Sequence, residues 1–137
     1  MHPYVLMLQA DEDDQFLTQS ILNEMQETIP MHFISVIEEL NSCIDQNGLP
    51  AVILINNHDH RHKAMEVVKF LKADPGLNYI PVVVLGEITT ADYTRQYYRA
   101  GASSYITKPS SLAAMRKKIS LFLDYWFEVA EVQMQSQ

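Results

Sequence analysis

The chain alternates between short, wholly apolar runs and longer segments whose apolar positions recur every three or four residues. Tyr4 to Leu8, Ala51-Val52-Ile53-Leu54-Ile55 and Ile80-Pro81-Val82-Val83-Val84-Leu85 are of the first kind. Runs this short do not make helices, and they lack the in–out alternation of a strand with one wet face. They predict strands buried on both sides. Met31 to Val36 and Ser103 to Thr107 read as further, shorter strands, bringing the set to five.

Helical patterns separate them. Asp11 to Asp14 offers a cap and first-turn acids ahead of Phe16, Leu17, Ile21, Leu22 and Met25. Ile37, Leu40 and Ile44 predict a short helix ended by Asn47-Gly48, and Ala64, Val67, Val68 and Leu71 a longer one closed by Asp74-Pro75-Gly76. Thr89 to Ala100 is a fourth, stopped by Gly101, and Leu112 to about Ala130 a fifth. Strict alternation of strand and helix predicts an α/β fold, a doubly wound five-stranded parallel sheet with helices on both faces and right-handed crossovers. Ligands of such sheets lie beyond the carboxyl ends of the strands. Asn56, the first polar residue past the central run, sits there.

With 47% hydrophobic residues in 137, the chain reads as a single domain over 1–137, trailing into a short polar tail from Gln133 to Gln137. Seventeen acidic against ten basic residues give −7, which argues against a nucleic-acid surface. No apolar run approaches the roughly 20 residues of a membrane span. Met1-His2-Pro3 passes into the first strand without a signal-peptide pattern, and the lone Cys43 excludes an internal disulfide. A cytoplasmic protein is the expectation.

Several phrases go beyond periodicity. Asp74-Pro75, then Ile80-Pro81-Val82-Val83-Val84-Leu85, then Ala100-Gly101-Ala102-Ser103-Ser104-Tyr105-Ile106-Thr107-Lys108-Pro109, resemble the receiver domain of bacterial response regulators in two-component signalling, over residues 3–122. The resemblance implies a flavodoxin-like fold. It also implies a phosphorylatable Asp ending the third strand, an acidic pair ending the first that binds Mg²⁺ with it, a Ser or Thr after the fourth, and a Lys before a Pro. Carried onto this chain, the acceptor position is Asn56, the acidic pair Gln9 and Ala10, and the hydroxyl position Gly86. Lys108 and Pro109 keep their types, as does Tyr105, the aromatic that rotates on activation in the family. The Lys108–Pro109 bond is expected cis on the same ground.

Four of the five chemical positions are thus replaced. An amide neither ionises nor accepts a phosphoryl group, and a hard divalent cation needs anionic oxygens. The expectation is a degenerate receiver with no catalytic residue and no cofactor, acting as a phosphorylation-independent interaction module. Two alternatives stay open. One is phosphoryl acceptance on a non-standard acid, Asp59 or, through a one-residue slip of the first strand, Asp11. The other is a metal site on His58, His60 and His62, whose imidazoles share one side of an extended segment.

Surfaces then become the carriers of function. On the fourth helix, Thr94, Tyr98 and Gly101 take the inward positions by resemblance, leaving Tyr93 and Tyr97 on an outer stripe. On the last helix, Leu112, Met115, Ile119, Phe122 and Trp126 make one core stripe, while Leu121, Leu123, Tyr125 and Phe127 lie off it. Surplus apolar surface of this kind predicts an interface through Tyr93, Tyr97, Leu121, Tyr125, Trp126 and Phe127. The Tyr-Trp-Phe end is similar to small stand-alone receivers that serve phytochrome-type kinases. Expected partners are a second copy of the chain and a histidine kinase or other signalling protein, with neither nucleic acid nor membrane.

Overall fold

Each apolar run becomes a strand, and the central ones are sealed from water on both faces. In the computed structural model, which describes residues 2–57 and 63–132, the strands are β1 (Val5–Leu8), β2 (Met31–Ile34), β3 (Val52–Asn57), β4 (Val82–Gly86) and β5 (Ser104–Thr107). They form one parallel sheet in the order β2-β1-β3-β4-β5. Val5, Val52, Val82, Val83 and Val84 are wholly inaccessible. This is the physical reason that β1, β3 and β4 lack polar alternation.

Successive residues feed two separate cores. Tyr4, Leu6, Ile53, Ile55, Val82 and Val84 pack with Leu40, Cys43, Val68, Leu71 and Tyr97 on one side. Val5, Met7, Val52, Leu54 and Val83 pack with Leu22, Phe122 and Leu123 on the other. The helices on the first side are α2 (Leu40–Asn47, entered through one 3₁₀ turn at Ile37–Glu39), α3 (Lys63–Ala73) and α4 (Ala91–Ala100). Those on the second are α1 (Glu12–Glu24) and α5 (Leu112–Asp124), which runs on as a π-helical turn over Tyr125–Val129. None of the helices among the described residues is long and apolar enough to cross a membrane.

Local chemistry fixes the joints. Asp11 caps α1, its carboxylate accepting the N–H of Asp13 at 2.8 Å and of Asp14 at 3.3 Å. The Tyr4 hydroxyl donates to the Gly48 carbonyl at 2.6 Å, pinning the start of β1 to the end of α2. Gly101 ends α4 at φ 111° against α3, where a Cβ would stand 2.8 Å from Lys72 Cγ. The same lysine ammonium donates to the carbonyls of Asn78 at 3.0 Å and Ile80 at 2.9 Å, holding the turn into β4.

The structure departs from the sequence expectations at several helix faces. Phe16, assigned to the buried stripe of α1, is 75% exposed, because Thr18, Ile21 and Leu22 form the contact face instead. On α4 the phase is reversed: Tyr97 is 1% exposed and Tyr98 is 50% exposed, so Tyr97 belongs to the core and not to an interface. Tyr93 is half-buried beside it. On α5, Leu112 is exposed while Leu123 is buried, and Trp126 and Phe127 pack against the second core. The extension therefore folds partly back on its own domain, leaving Leu121, Tyr125 and Val129 outside. No cis peptide bond occurs among the described residues, so Lys108–Pro109 is trans.

These burials separate two truncations to alanine cleanly. Leu71→Ala, at a fully buried site in α3, is expected to lower unfolding stability by about 2–5 kcal/mol through transfer and cavity terms. Phe16→Ala is expected to change it by less than about 0.5 kcal/mol. Urea denaturation monitored by circular dichroism measures both, and equal losses would show that α1 is rotated.

Candidate functional site

Sheet register brings the candidate residues together. Leu8 lies opposite Ile55, which sets Gln9 level with Asn56 one residue beyond. Asn57 lies opposite Gly86, and Gly86 opposite Thr107, which sets the ends of β3, β4 and β5 level as well. Adjacent strand residues face opposite ways, so Asn56 and Asn57 serve different halves of the site.

The first half is a closed pair of amides. Gln9 is buried, and its backbone N–H donates to Ile34 at 2.9 Å while its carbonyl accepts Gln15 Nε2 at 2.5 Å. Its side-chain Oε1 accepts the Asp11 backbone N–H and Asn56 Nδ2, each at 3.1 Å. A backbone N–H only donates, so it fixes which end of the Gln9 amide is oxygen. Asn56 must then present nitrogen to that oxygen, and its own Oδ1 is left buried without a partner among the described residues. Ala10, beside them, contributes a methyl group. The Asp11 carboxylate is engaged as the α1 cap, and the register has no slip that would move it into the pair.

Beyond this pair a cleft of about 670 Å³ opens between the β2–α2 connection and α3. Leu8, Ile37, Val67 and Phe70 give it apolar walls, and Glu38 and Glu66 stand at its rim with Lys63. On the other side of the sheet a smaller slot of about 60 Å³ lies beneath α1 and α5, and Lys108 and Pro109 line it. The Lys108 backbone N–H donates to the Gly86 carbonyl at 2.8 Å, extending the β4–β5 ladder.

The second half is a tyrosine cluster. Asn57 Nδ2 donates to the hydroxyls of Tyr93 at 2.9 Å and Tyr97 at 3.1 Å, which lie 3.4 Å apart. The Tyr105 ring packs on Tyr97 with centroids 5.4 Å apart and edge-on to Tyr93 at 6.2 Å. Burial pushes the Tyr97 phenol well above its ordinary value, and the hydrogen bond with Tyr93 adds to the shift. Burial also raises Tyr105, with Tyr93 contributing. The neighbouring Asn57 side chain and Ile88 backbone oppose this, although among the described residues no partner meets the Tyr105 hydroxyl in good hydrogen-bond geometry.

The sequence reading missed Asn57. Its parity with Ile53 and Ile55 places it on the face that α4 covers, and that signal was available. It also explains Tyr97, whose hydroxyl Asn57 draws inward. His58, His60, His62 and Asp59 lie outside the described residues. Among the described residues no group of three His, Cys, Asp or Glu side chains is arranged to hold a metal ion.

No family model matches the chain. Among curated proteins it is 31% identical over 79 residues to a probable methanogenesis regulatory protein, FilR2, of Methanothrix harundinacea. That match covers 58% of this chain and 51% of the relative, so it spans about half the relative's length. Among solved structures, a response regulator in red-light signalling of R. palustris superposes with a TM-score of 0.86 at 19% identity, covering 97% of this chain and 99% of the other. The phosphorylated cyanobacterial phytochrome response regulator RcpA gives 0.79 at 22% identity, over 98% and 100%. A response regulator from Hahella chejuensis gives 0.79 at 23%, over 96% and 99%. With its strand order, its two helical layers and nearly its whole length in common with these proteins, the chain has the flavodoxin-like fold of response regulator receiver domains.

Proposed function

We propose that the chain is a degenerate receiver, a signalling module that works by protein contact and accepts no phosphate. The observation that carries this reading is the Gln9–Asn56 amide pair, lying where the resemblance puts metal-binding acids and a phosphoryl acceptor. Gln9 Oε1 already accepts two N–H groups, so the pair offers a cation a single neutral oxygen, Asn56 Oδ1, and no anionic ligand. Without Mg²⁺, the charge that develops on a transferring phosphoryl group lacks its main stabiliser. Gly86 supplies no hydroxyl to receive the group. The module is not an enzyme in this reading and uses no cofactor. Its partner is a histidine kinase or another signalling protein, in keeping with the red-light and phytochrome regulators that share its fold.

Incubation with acetyl phosphate and Mg²⁺ is therefore expected to leave the intact mass unchanged. A stoichiometric phosphate adduct, on Asp11 or Asp59 for instance, would sink the proposal. The double substitution Ala10→Asp with Asn56→Asp should create what is missing. Two carboxylates then converge, repel one another in the metal-free protein and bind Mg²⁺ when it is supplied. Mg²⁺ at a hundredfold its Kd should raise unfolding stability by about 2.7 kcal/mol in this variant and leave the parent unchanged. A variant with neither metal binding nor altered stability would show that residues 10 and 56 do not form one site.

The same reading assigns association to α5. Leu121 is 56% exposed and Tyr125 51%, four residues apart on one face, with Val129 continuing it. Covering the exposed half of such a side chain is worth about 1 kcal/mol, and a two-fold dimer covers the same patch on both copies. Leu121→Glu with Tyr125→Glu should yield a folded monomer with unchanged circular dichroism. If sedimentation finds the parent chain monomeric at high micromolar concentration, α5 serves a different protein and not a second copy.

A further inference from the structure

The tyrosine half of the site depends on a side chain that is missing. Gly86 is not among the glycines with positive φ, so its backbone does not call for glycine. What glycine provides there is space. The Tyr105 side chain leaves β5 and lies directly over residue 86. A Cβ at that position would stand 2.7 Å from Tyr105 Cζ and 3.3 Å from Cε2, and closer still to the hydroxyl. Carbon atoms do not approach that closely, so any residue other than glycine excludes the present place of the ring.

The ring in turn organises its surroundings. It packs against Tyr93 and Tyr97 of α4, whose hydroxyls are tied to Asn57 at the end of β3. The Tyr105 backbone N–H donates to the Tyr98 hydroxyl at 3.0 Å, so α4 and β5 are joined on the outer side as well. Among the described residues no partner meets the Tyr105 hydroxyl in good hydrogen-bond geometry, although Asn57 and the Ile88 backbone lie close enough to act on it. The space left by Gly86 is what admits the ring.

We infer that Gly86 acts as a permanent vacancy that holds Tyr105 inward and thereby fixes the α4–β5 surface in one conformation, displayed without any event at the amide pair. This rests on reading the chain as an interaction module, and it supplies the reason such a module would need no signal to present its surface. The state of the surface is set by the residue type at position 86.

The test is fluorine NMR on the whole chain labelled with 3-fluorotyrosine, recorded without phosphate or metal. In the parent protein Tyr105 should give one resonance, shielded from a soluble paramagnetic relaxation agent. Gly86→Ala and Gly86→Thr should each move that resonance and raise its relaxation by the agent severalfold, with Tyr93 and Tyr97 shifting alongside. Gly86→Ala combined with Tyr105→Leu should leave Tyr93 and Tyr97 close to their positions in Tyr105→Leu alone, because the competing ring is gone. Two exchanging Tyr105 resonances in the parent would overturn the inference, as would an unmoved resonance in the variants. Should the single variants fail to fold, the parent spectrum and the double variant still decide. Failure here is separate from failure of the phosphate-independent reading, which is decided by the mass of the parent chain after acetyl phosphate.

Discussion

Two neighbouring amides at the end of the central strand face opposite sides of the sheet, and both halves of the site follow from that parity. Asn56 shares its side with Val52 and Leu54 and meets Gln9; Asn57 shares its side with Ile53 and Ile55 and meets Tyr93 and Tyr97. Neither residue chooses its direction. The apolar residues before them are buried on both faces, and a slip of one position would drive each from one core into the other. The carboxyl end of β3 is therefore held in place by hydrophobic burial well below it.

Chemically, the amide pair solves a problem that a carboxylate cluster poses. Acids held close repel, and their proximity is tolerable when a cation lies between them. Gln9 and Asn56 carry no charge, and one donates to the other directly. The arrangement leaves a single deficit, the unpartnered Asn56 Oδ1, and an unsatisfied buried acceptor of this kind costs about 1–3 kcal/mol. The same deficit shows how thoroughly the geometry is dictated by its neighbours. The Asp11 N–H orients Gln9, Gln9 orients Asn56, and no freedom remains to turn the last amide round.

How much of this was legible in the sequence depended on whether burial or a specific partner set the outcome. β3 and β4 were legible because their residues are enclosed from both sides, and a run of Val, Ile and Leu has no other economical place. Asn56 stood out as the first polar residue past the central run, while Gln9 and Gly86 were assigned by resemblance; the sheet sets Gln9 level with Asn56, and Gly86 one step on, opposite Asn57. The phase of α4 did not. Tyr93, Tyr97 and Tyr98 are each apolar enough to be buried and polar enough to be wet, and a long-range hydrogen bond from Asn57 settles which two turn inward. Phe16 failed for the opposite reason: it has the right chemistry for a core stripe, but α1 presents Thr18, Ile21 and Leu22. On α5 and its extension eight of the eleven positions from Ser120 to Ala130 are apolar, and a π-helical turn at Tyr125–Val129 shifts the stripe where periodic reasoning assumes a constant phase.

The outer edge of the sheet is partly covered by side chains. β5 is an edge strand, and an open edge offers its N–H and C=O groups to any passing strand. Here the Tyr98 hydroxyl takes the Tyr105 N–H at 3.0 Å, and the Lys118 ammonium donates to the Thr107 carbonyl at 2.6 Å. The two caps come from the flanking helices, one from α4 and one from α5, so two of the edge's groups are taken by the elements that border it. Tyr98 on α4 and Leu121 and Tyr125 on α5 are the exposed large side chains of the two helices that supply these caps. Strand addition at this edge first requires that the two caps be displaced.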